Sequence, residues 1–291
     1  MSETVTSRKG ITWREPAVIA LETLRTHKLR SFLTLLGVIL SVATLIVVIS
    51  MIRGTDQYIS DKVANFGANV FLVSQFPYVV TREELVRLQR RNKPILWDDY
   101  QYLQQNMSTA KAVSYEMVRG TAVARYANLD IKDVLLDGVT PNLAEMGKVE
   151  PALGRYISDA DNEHRAEVAL IGDDVAKRFF LGVDPLGKTI SVDGRPYQVI
   201  GVAKPLGSSF GFSQDKFVYI PVLTYRKIYG TQQSGTMKVQ ARGPQWMAIA
   251  QDEARMLMRS LRHVKPNEDD NFELIEPSSL MGLWSALTDT I

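Results

Sequence analysis

The sequence feature that most constrains this chain is a long uncharged segment near its start. Residues 31–52 read SFLTLLGVILSVATLIVVISMI, and these 22 consecutive residues carry no charge. As a helix rising about 1.5 Å per residue, the segment is about 33 Å long, enough to cross a hydrocarbon core of about 30 Å. The sequence therefore predicts one transmembrane helix at 31–52, in contact with a lipid bilayer.

Basic residues lie mainly before this helix, and their distribution predicts its orientation. Lysine or arginine occupies positions 8, 9, 14, 25, 28 and 30, whereas only Arg53 and Lys62 occur in the twenty residues that follow the segment. Positively charged flanks stay inside the cell, so we expect a cytoplasmic amino terminus. Ser41 and Ala43 offer a small-x-small cleavage pattern, but the apolar run continues beyond it. An uncleaved signal anchor is therefore favoured over a cleaved signal peptide.

The residues before the span, 1–30, are predicted to form a cytoplasmic amphipathic leader. Pro16 suits the first turn of a helix, and the apolar residues after it recur at helical spacing. A helix of this kind can lie among lipid headgroups. A simple extension of the transmembrane helix explains the same pattern equally well. The apolar residues concerned are Ala17, Ala20, Leu21 and Leu24.

The composition beyond the span indicates a water-exposed globular region of about 240 residues. The formal net charge of +2 and a single short basic tract at 87–93 argue against a nucleic acid partner. The chain has no cysteine, which excludes disulfides and thiolate sites. This absence fits a bacterial periplasmic location.

Two β-α-β patterns lie far apart in this region and together predict one split domain. Distant halves of a ferredoxin-like α+β domain pair in one sheet, so we expect 53–120 and 235–276 to fold together. The strands and helices of the two patterns are predicted from their periodicity. They lie at 67–73, 97–105, 112–120, 237–242, 244–263 and 271–275.

The residues between the two patterns, 121–234, carry their own strand signals and predict an inserted, strand-rich α/β subdomain. One hairpin, KTISVDGRPYQVIGVA, turns at Asp193 and Gly194, which is a strong short-range turn signal. KFVYIPV at 216–222 predicts a further strand. The segment KPLGSSFGFSQD at 204–215 connects the two and predicts an aromatic loop, which either contacts a partner or substrate or serves only as a connection.

The octapeptide GVDPLGKT at 182–189 matches the phosphate-binding pattern G-x-x-x-x-G-K-[ST]. A functional phosphate loop follows a strand and opens a helix, so that backbone N–H groups point at the phosphates. Here a helical pattern ending at Phe180 precedes the octapeptide, and a β-branched run at 189–192 follows it. We therefore expect a turn bent by Asp184 and Pro185, and no nucleotide site.

The pentapeptide GSSFG at 207–211 matches the nucleophile elbow of serine hydrolases, with Ser209 as the nucleophile. That elbow requires a helix after the turn, whereas FSQDKFVYI predicts a loop and a strand. The only downstream histidine is His263, at the end of a predicted helix. A signal-anchored hydrolase using Ser209 is therefore the least favoured alternative.

No catalytic, cofactor-binding or metal-binding residues are predicted. The histidines fall in three unrelated contexts, which gives no histidine-based metal site. An acidic loop at 159–163 lacks the glycine and the closing glutamate of a calcium loop, so a turn and a helix cap are expected instead. The three histidines are His27, His164 and His263. The acidic residues of the loop are Asp159, Asp161 and Glu163.

Four segments resemble the MacB-like and FtsX-like permeases of ABC transporters. Residues 29–73 are similar to the first transmembrane helix and following stalk of that family. The segments 135–161, 167–203 and 215–222 resemble its extracytoplasmic core domain. The resemblance implies a porter-like subdomain at 53–120 and 235–276, interrupted by a small α/β subdomain. It also implies that the turn around Pro185 belongs to the external domain.

The same resemblance implies a non-enzymatic permease subunit in the bacterial inner membrane. ATP hydrolysis by a separate ABC ATPase would move the stalk helices and the periplasmic domains, a process termed mechanotransmission that drives efflux or extraction of a substrate. The implied partners are that ATPase, a second permease copy or paralogue in a dimer, and a periplasmic adaptor or substrate protein. A membrane-anchored periplasmic binding or adaptor domain without an ATPase is the alternative from another class.

The end of the sequence departs from the family pattern. Members typically have four transmembrane helices, three of them after the external domain. Here 277–291 predicts only the start of a helix approaching the membrane. We therefore expect this sequence to be the amino-terminal part of a four-helix permease.

Overall fold

The fold consists of one long apolar helix and one mixed α+β unit. The chain divides into two compact units, 1–55 and 56–291. Residues 1–27 of the predicted leader (1–30), with His27, and the predicted terminal helix at 277–291 lie outside the described residues, whereas residues 28–30 belong to the first helix. The computed structural model describes residues 28–65, 69–77, 81–146, 149–209 and 212–276.

Helix α1 spans Lys28–Asn65 and contains the predicted transmembrane segment. Within it, Lys28–Met51 is long and apolar enough to cross a membrane. The apolar side chains of Lys28–Met51 are exposed, as expected for a helix surrounded by lipid. Its hydroxyl groups donate to carbonyls of the preceding turn, for example Ser41 Oγ to Gly37 O at 2.9 Å and Thr44 Oγ1 to Leu40 O at 2.8 Å. These hydrogen bonds lower the cost of polar groups in a hydrocarbon environment.

A ten-stranded sheet forms the centre of the second unit. Its strand order is β12-β1-β11-β2-β3-β10-β5-β7-β4, with β6 pairing with β2 and β7, while β8 and β9 form a separate two-stranded sheet. The strands are β1 (Val70–Ser74), β2 (Ala110–Tyr126), β3 (Leu129–Val139), β4 (Pro151–Gly154), β5 (Val168–Ile171), β6 (Thr189–Val192), β7 (Arg195–Ala203), β8 (Ser208–Ser209), β9 (Phe212–Ser213), β10 (Phe217–Pro221), β11 (Thr236–Ala241) and β12 (Glu273–Ile275).

Seven further α-helices belong to this unit within the described residues. The predicted helix at 244–263 begins with a 3-10 turn at Pro244–Trp246, because a proline is tolerated in the first helical turn. The helices are α2 (Arg82–Arg91), α3 (Trp97–Asn106), α4 (Leu143–Met146), α5 (Asp159–Glu163), α6 (Asp173–Phe179), α7 (Val222–Tyr229) and α8 (Met247–Leu261). The mixed α+β class expected from the sequence is therefore confirmed.

Antiparallel and parallel pairings are combined in the sheet. The pairs β1–β11, β1–β12, β11–β2 and β2–β3 are antiparallel. The pairs β3–β10 and β5–β7 are parallel. The hairpin predicted at Asp193 and Gly194 is present between β6 and β7, and both residues have positive φ angles of 48° and 81°. This backbone geometry is the one that favours Asp-Gly in a two-residue turn.

The main core lies between one face of the sheet and helices α3, α7 and α8. Strand β11 alternates buried and half-buried residues, the pattern of a strand with one face in the core. The aromatic rings of Trp97, Tyr100 and Tyr115 cluster where α3 packs on β2, with centroids 4.8 Å apart for the first pair and 5.7 Å apart for Tyr100 and Tyr115. Such ring pairs add about 0.5–1.5 kcal/mol beyond the area that they bury.

A buried ion pair ties the end of α8 to the start of α3. Arg262 Nη2 lies 2.5 Å from Asp99 Oδ2, and their side chains are only 7% and 10% exposed. Arg262 also donates to the carbonyl oxygens of Pro94 at 2.9 Å and Asn271 at 3.2 Å. Asp99 in turn accepts from the backbone N–H of Leu96 at 2.8 Å, at the start of α3. Both charges are therefore compensated by several partners.

The carboxylate of Glu253, in the middle of α8, holds the chain at the start of β2. It accepts from the backbone N–H groups of Ser108 at 2.8 Å and Thr109 at 2.9 Å, and from both hydroxyl groups. Burial alone raises the pKa of Glu253, but these hydrogen bonds together lower it to about 2. The ionised form is thus favoured in the folded state.

We expect Glu253→Gln to lower the free energy of unfolding at pH 7 by about 1 kcal/mol, since the site is partly exposed to solvent. A folded pKa below the unfolded one means that this stabilisation is complete above about pH 4.5 and disappears as the pH falls towards about 2. Urea unfolding of both proteins at several pH values tests this. A difference that persisted unchanged below the folded pKa would contradict it.

Candidate functional site

The phosphate-loop lookalike forms a turn between a helix and a strand. Helix α6 ends at Phe179 before it, and strand β6 begins at Thr189 after it. Within the turn, Asp184 Oδ1 accepts from the N–H of Leu186 at 3.0 Å, and Gly187 donates to Val199 O at 2.8 Å. The expected turn is confirmed, and the strand-then-helix surroundings of a phosphate loop are absent from this described segment.

Residues 207–209 of the elbow lookalike lead into strand β8, and its residues 210 and 211 lie outside the described part of the chain. Strands β8 and β9 pair with each other, and β10 is the next element along the chain. The described residues therefore contain no helix directly after this segment, as the nucleophile elbow would require. Asp215 holds the base of the loop, because its buried carboxylate accepts from the N–H groups of Leu206 at 2.6 Å and Gly207 at 3.0 Å.

The acidic loop at 159–163 is the expected helix cap. Ser158 and Asp161 form a capping box at the start of α5, in which each side chain accepts from the other residue's backbone N–H. Arg155 pairs with Asp161 and, as the largest contribution, keeps the pKa of that carboxyl well below its usual range. These charges have a structural role at the helix terminus.

A cleft of about 840 Å³ opens beside the first half of β3. Its walls come from β3, α6 and the segment before β10, and they carry three acidic and three basic side chains. Among the described residues, none of these six forms an ion pair. The sequence gives no sign of the cleft, because its walls are distant in the chain. The charged lining residues are Asp130, Lys132, Asp133, Asp174, Arg178 and Lys216.

Three carboxylates near this cleft approach one another within 4.8 Å, namely Asp173, Asp174 and Asp215. Two of them already have partners. Lys177 lies 2.5 Å from Asp173, and Asp215 binds the loop amides described above. We therefore assign Asp173 and Asp174 to the first turn of α6 and Asp215 to loop anchoring, and infer no cation site from the cluster.

A row of ionisable side chains crosses four neighbouring strands on the sheet face opposite the main core. The register pairs Lys238 with Ser114, Val118 with Asp137, and Asp137 with Tyr219. Since residues two apart in a strand share a face, Glu116 lies on the same face as Ser114 and Val118. The row therefore consists of one residue each from β11, β2, β3 and β10: Lys238, Glu116, Asp137 and Tyr219.

Segment 155–157 and helix α4 belong to the layer on this face. A small apolar cluster is formed by Val139, Leu143 and Ile157, and Tyr156 and Tyr219 pack against it. Lys238 Nζ lies 2.8 Å from Glu116 Oε2, with both side chains mostly buried. Sequence reasoning did not identify this row, because no local pattern brings residues 116, 137, 219 and 238 together.

Asp137 is the least compensated charge in the row. It is 9% exposed, and its Oδ1 has no hydrogen-bond partner among the described residues. Burial, followed by the nearby Glu116 carboxylate, raises the pKa of Asp137 to about 8, although Lys238 opposes the shift. Burial likewise raises the pKa of Tyr156, whose hydroxyl is also without a partner in the described part of the chain. A protonated carboxyl of Asp137 and a neutral phenol of Tyr156 are the favoured forms at pH 7.

Comparison with known proteins gives one matching family model. Residues 31–257 match the family described as the MacB-like periplasmic core domain. The macrolide export ATP-binding/permease protein MacB of Bdellovibrio bacteriovorus is 27% identical over 278 residues, covering 93% of this chain and 41% of the relative. The chain thus spans about two fifths of the length of that relative.

Two further comparisons extend this result. An uncharacterised ABC transporter permease of Bacillus subtilis, YknZ, is 24% identical over 278 residues, which are 94% of this chain and 67% of YknZ. The crystal structure of the periplasmic region of MacB from Actinobacillus actinomycetemcomitans superposes with a TM-score of 0.62 at 19% identity, covering 78% of this chain and 97% of that structure. The structural likeness concerns the fold alone.

Proposed function

Because the chain belongs to the MacB-like periplasmic core domain family, we propose that it is the amino-terminal part of the permease subunit of a MacB-like ABC transporter. A separate ATPase hydrolyses ATP in the cytoplasm, and this subunit converts that reaction into movement of its periplasmic unit. The match at 31–257 carries the proposal, because it includes the apolar span and most of the mixed α+β unit in a single family model. The chain itself has no enzymatic role in this proposal.

The proposed arrangement has a cytoplasmic leader at 1–30, the span at 31–52 and the α+β unit in the periplasm. A porter-like, ferredoxin-like subdomain comprises 53–120 and 235–276. The strand order β12-β1-β11-β2, with α3 before β2 and α8 before β12, supports it, because that order and alternation are typical of a split β-α-β fold.

The inserted subdomain comprises 121–234, and 277–291 leads back towards the membrane. A break in the pairing of β2 with β3 supports the boundary at 120/121. The register shifts between Arg119 and Ala122, so the long strand is irregular at the proposed junction. The sheet nevertheless continues through β3 and β10. A continuous sheet can transmit a displacement of one subdomain to the other.

The proposed partners are the ATPase, a second permease copy or paralogue in a dimer, and a periplasmic adaptor or substrate protein. The names of the relatives support the first partner, because MacB of Bdellovibrio bacteriovorus is an ATP-binding/permease protein and YknZ is an ABC transporter permease. In this proposal, ATP-driven mechanotransmission results in efflux or extraction of a substrate.

A membrane-anchored binding or adaptor domain without an ATPase is the second candidate. The observation in its favour is the charged cleft beside β3, whose six ionisable side chains make no ion pairs within the described residues. Such side chains are free to contact a polar ligand. Purification of the membrane-embedded chain separates the two candidates. A co-purifying ABC ATPase supports the permease, whereas an isolated chain from cells that express the ATPase favours the binding domain.

The absence of native cysteine permits a direct test of orientation. We expect Leu181→Cys, at a side chain that is 87% exposed, to react with a membrane-impermeant maleimide in intact spheroplasts. Thr4→Cys, in the leader, is expected to react only after lysis. If only Thr4→Cys were labelled in intact spheroplasts, the orientation in the membrane would be the opposite of the one proposed.

A further inference from the structure

The ionisable row lies across the junction between the two parts of the sheet. Lys238 and Glu116 belong to strands at the β12-β1-β11-β2 end, whereas Asp137 and Tyr219 belong to β3 and β10. The row therefore spans the line along which β2 and β3 meet.

Charge balance within the row depends on one proton. Glu116 and Lys238 neutralise each other at 2.8 Å. An ionised Asp137 would add a second negative charge to a mostly buried face, and burying an uncompensated charge is costly. Adding one proton to Asp137 makes the row neutral. The Oδ1 of Asp137 accepts no hydrogen bond from the described residues, which agrees with a carboxyl that is incompletely compensated in its ionised form.

The groups that face Asp137 come from several elements. Glu116 on β2 and Lys238 on β11 are the charged ones, and Tyr219 on β10 and Tyr156 after β4 are neutral phenols. Across the sheet, Tyr225 of α7 packs against Gly138, the residue next to Asp137. Of these groups, only Lys238 favours an ionised Asp137, and it already contacts Glu116.

We propose that Asp137 is a proton-binding site at neutral pH, and that its protonated carboxyl stabilises the junction between β2 and β3. Loss of the proton creates a second carboxylate, which repels Glu116 and competes with it for Lys238. The contact between the two parts of the sheet then weakens. The proton site depends on the sheet alone and not on the proposed transporter function, although it would make the transmission of movement pH-dependent.

The direction of the pH dependence follows from the folded and unfolded forms of Asp137. The carboxyl has a higher pKa in the folded chain, about 8, than the usual model value of 3.8. Its stabilising contribution is therefore complete below about pH 4, decreases as the pH rises towards about 8, and changes no further above that. The neutral amide in Asp137→Asn lacks this dependence.

Infrared spectroscopy of the full chain in lipid nanodiscs, labelled with carboxyl-¹³C aspartate, detects the proton directly. We expect an isotope-shifted carboxylic acid band at pH 7 that disappears as the pH rises through about 8. The band should be absent from Asp137→Asn and retained in Asp130→Asn, a matched change at an exposed position of the same strand. If wild type shows no such band at pH 7, or Asp137→Asn keeps it, the proposal is overturned.

A second variant keeps the test valid even if Asp137→Asn does not fold. Glu116→Gln removes the neighbouring negative charge, so the loss of the band should move to lower pH by about 1 unit or more. Thermal unfolding of the wild type should show a midpoint that falls between about pH 5 and pH 8. An unchanged band titration in Glu116→Gln would contradict the assignment to Asp137, whatever the transport activity of the chain.

Discussion

Replacing Arg262 by alanine is expected to lower the free energy of unfolding by about 3–5 kcal/mol, because it leaves the buried carboxylate of Asp99 without its counter-charge. The carboxylate cannot recover its hydration, since the side chain is only 10% exposed. The carbonyl oxygens of Pro94 and Asn271 lose a donor in the same change. We expect the loss of stability to affect both the start of α3 and the end of α8, because the ion pair joins them.

Arg255→Ala, on α8, is the matched control for Arg262, the residue that directly follows this helix. Arg255 is much more exposed and pairs with Asp252 and Asp270 at 3.2 Å each. Exposed pairs contribute little, so we expect a loss below about 1 kcal/mol. Urea unfolding of the detergent-solubilised chain measures both changes. Equal losses for the two variants would show that the buried pair has no special energetic role.

Gly138→Ala is expected to cost about 3 kcal/mol, because the centre of the sheet has no room for a methyl group at this position. A Cβ atom there would lie 2.4 Å from Cβ and 2.6 Å from Cγ of Tyr225, which is fully buried on α7. These are the stiff inner atoms of the tyrosine side chain, and strand β3 is fixed by β2 and β10 on either side. Helix α7 would have to move away from the sheet.

Gly120→Ala provides the comparison within β2. No atom lies within 4 Å of a Cβ built at Gly120, so no clash is expected. Reduced freedom of the unfolded chain should then leave the stability unchanged or raise it by up to about 1 kcal/mol. Thermal unfolding of both variants tests the pair. A Gly138→Ala chain as stable as Gly120→Ala would mean that α7 does not pack as closely on β3 as described.

The elements with strong local signals were predictable from the sequence. The uncharged segment gave α1, Asp193 and Gly194 gave the hairpin, and apolar periodicity gave α3 within one residue of its end. Each of these depends on residues that are neighbours in the chain. The turn at 182–189 was also predictable, because its flanking patterns excluded a phosphate loop.

The candidate sites were not predictable, for a physical reason. The row of Lys238, Glu116, Asp137 and Tyr219 exists only because four strands pair in one register, and a shift of one residue would move each side chain to the other face. Nothing near Asp137 in the sequence DVLLDGV indicates burial of its carboxylate. The charged cleft beside β3 has the same origin, since its walls come from three separate parts of the chain.

The pairing of β1 has a consequence for the order in which the chain can fold during synthesis. Its partners in the described sheet are β11 and β12. Val70 can therefore pair only after Gln240 has been synthesised. At about 5–20 residues per second, the ribosome needs roughly 9–34 s to reach that partner. During this interval the apolar sequence VFLVS has both strand edges unpaired and is prone to aggregation. We therefore expect the nascent chain to require a chaperone or another temporary partner for β1 until β11 and β12 are synthesised.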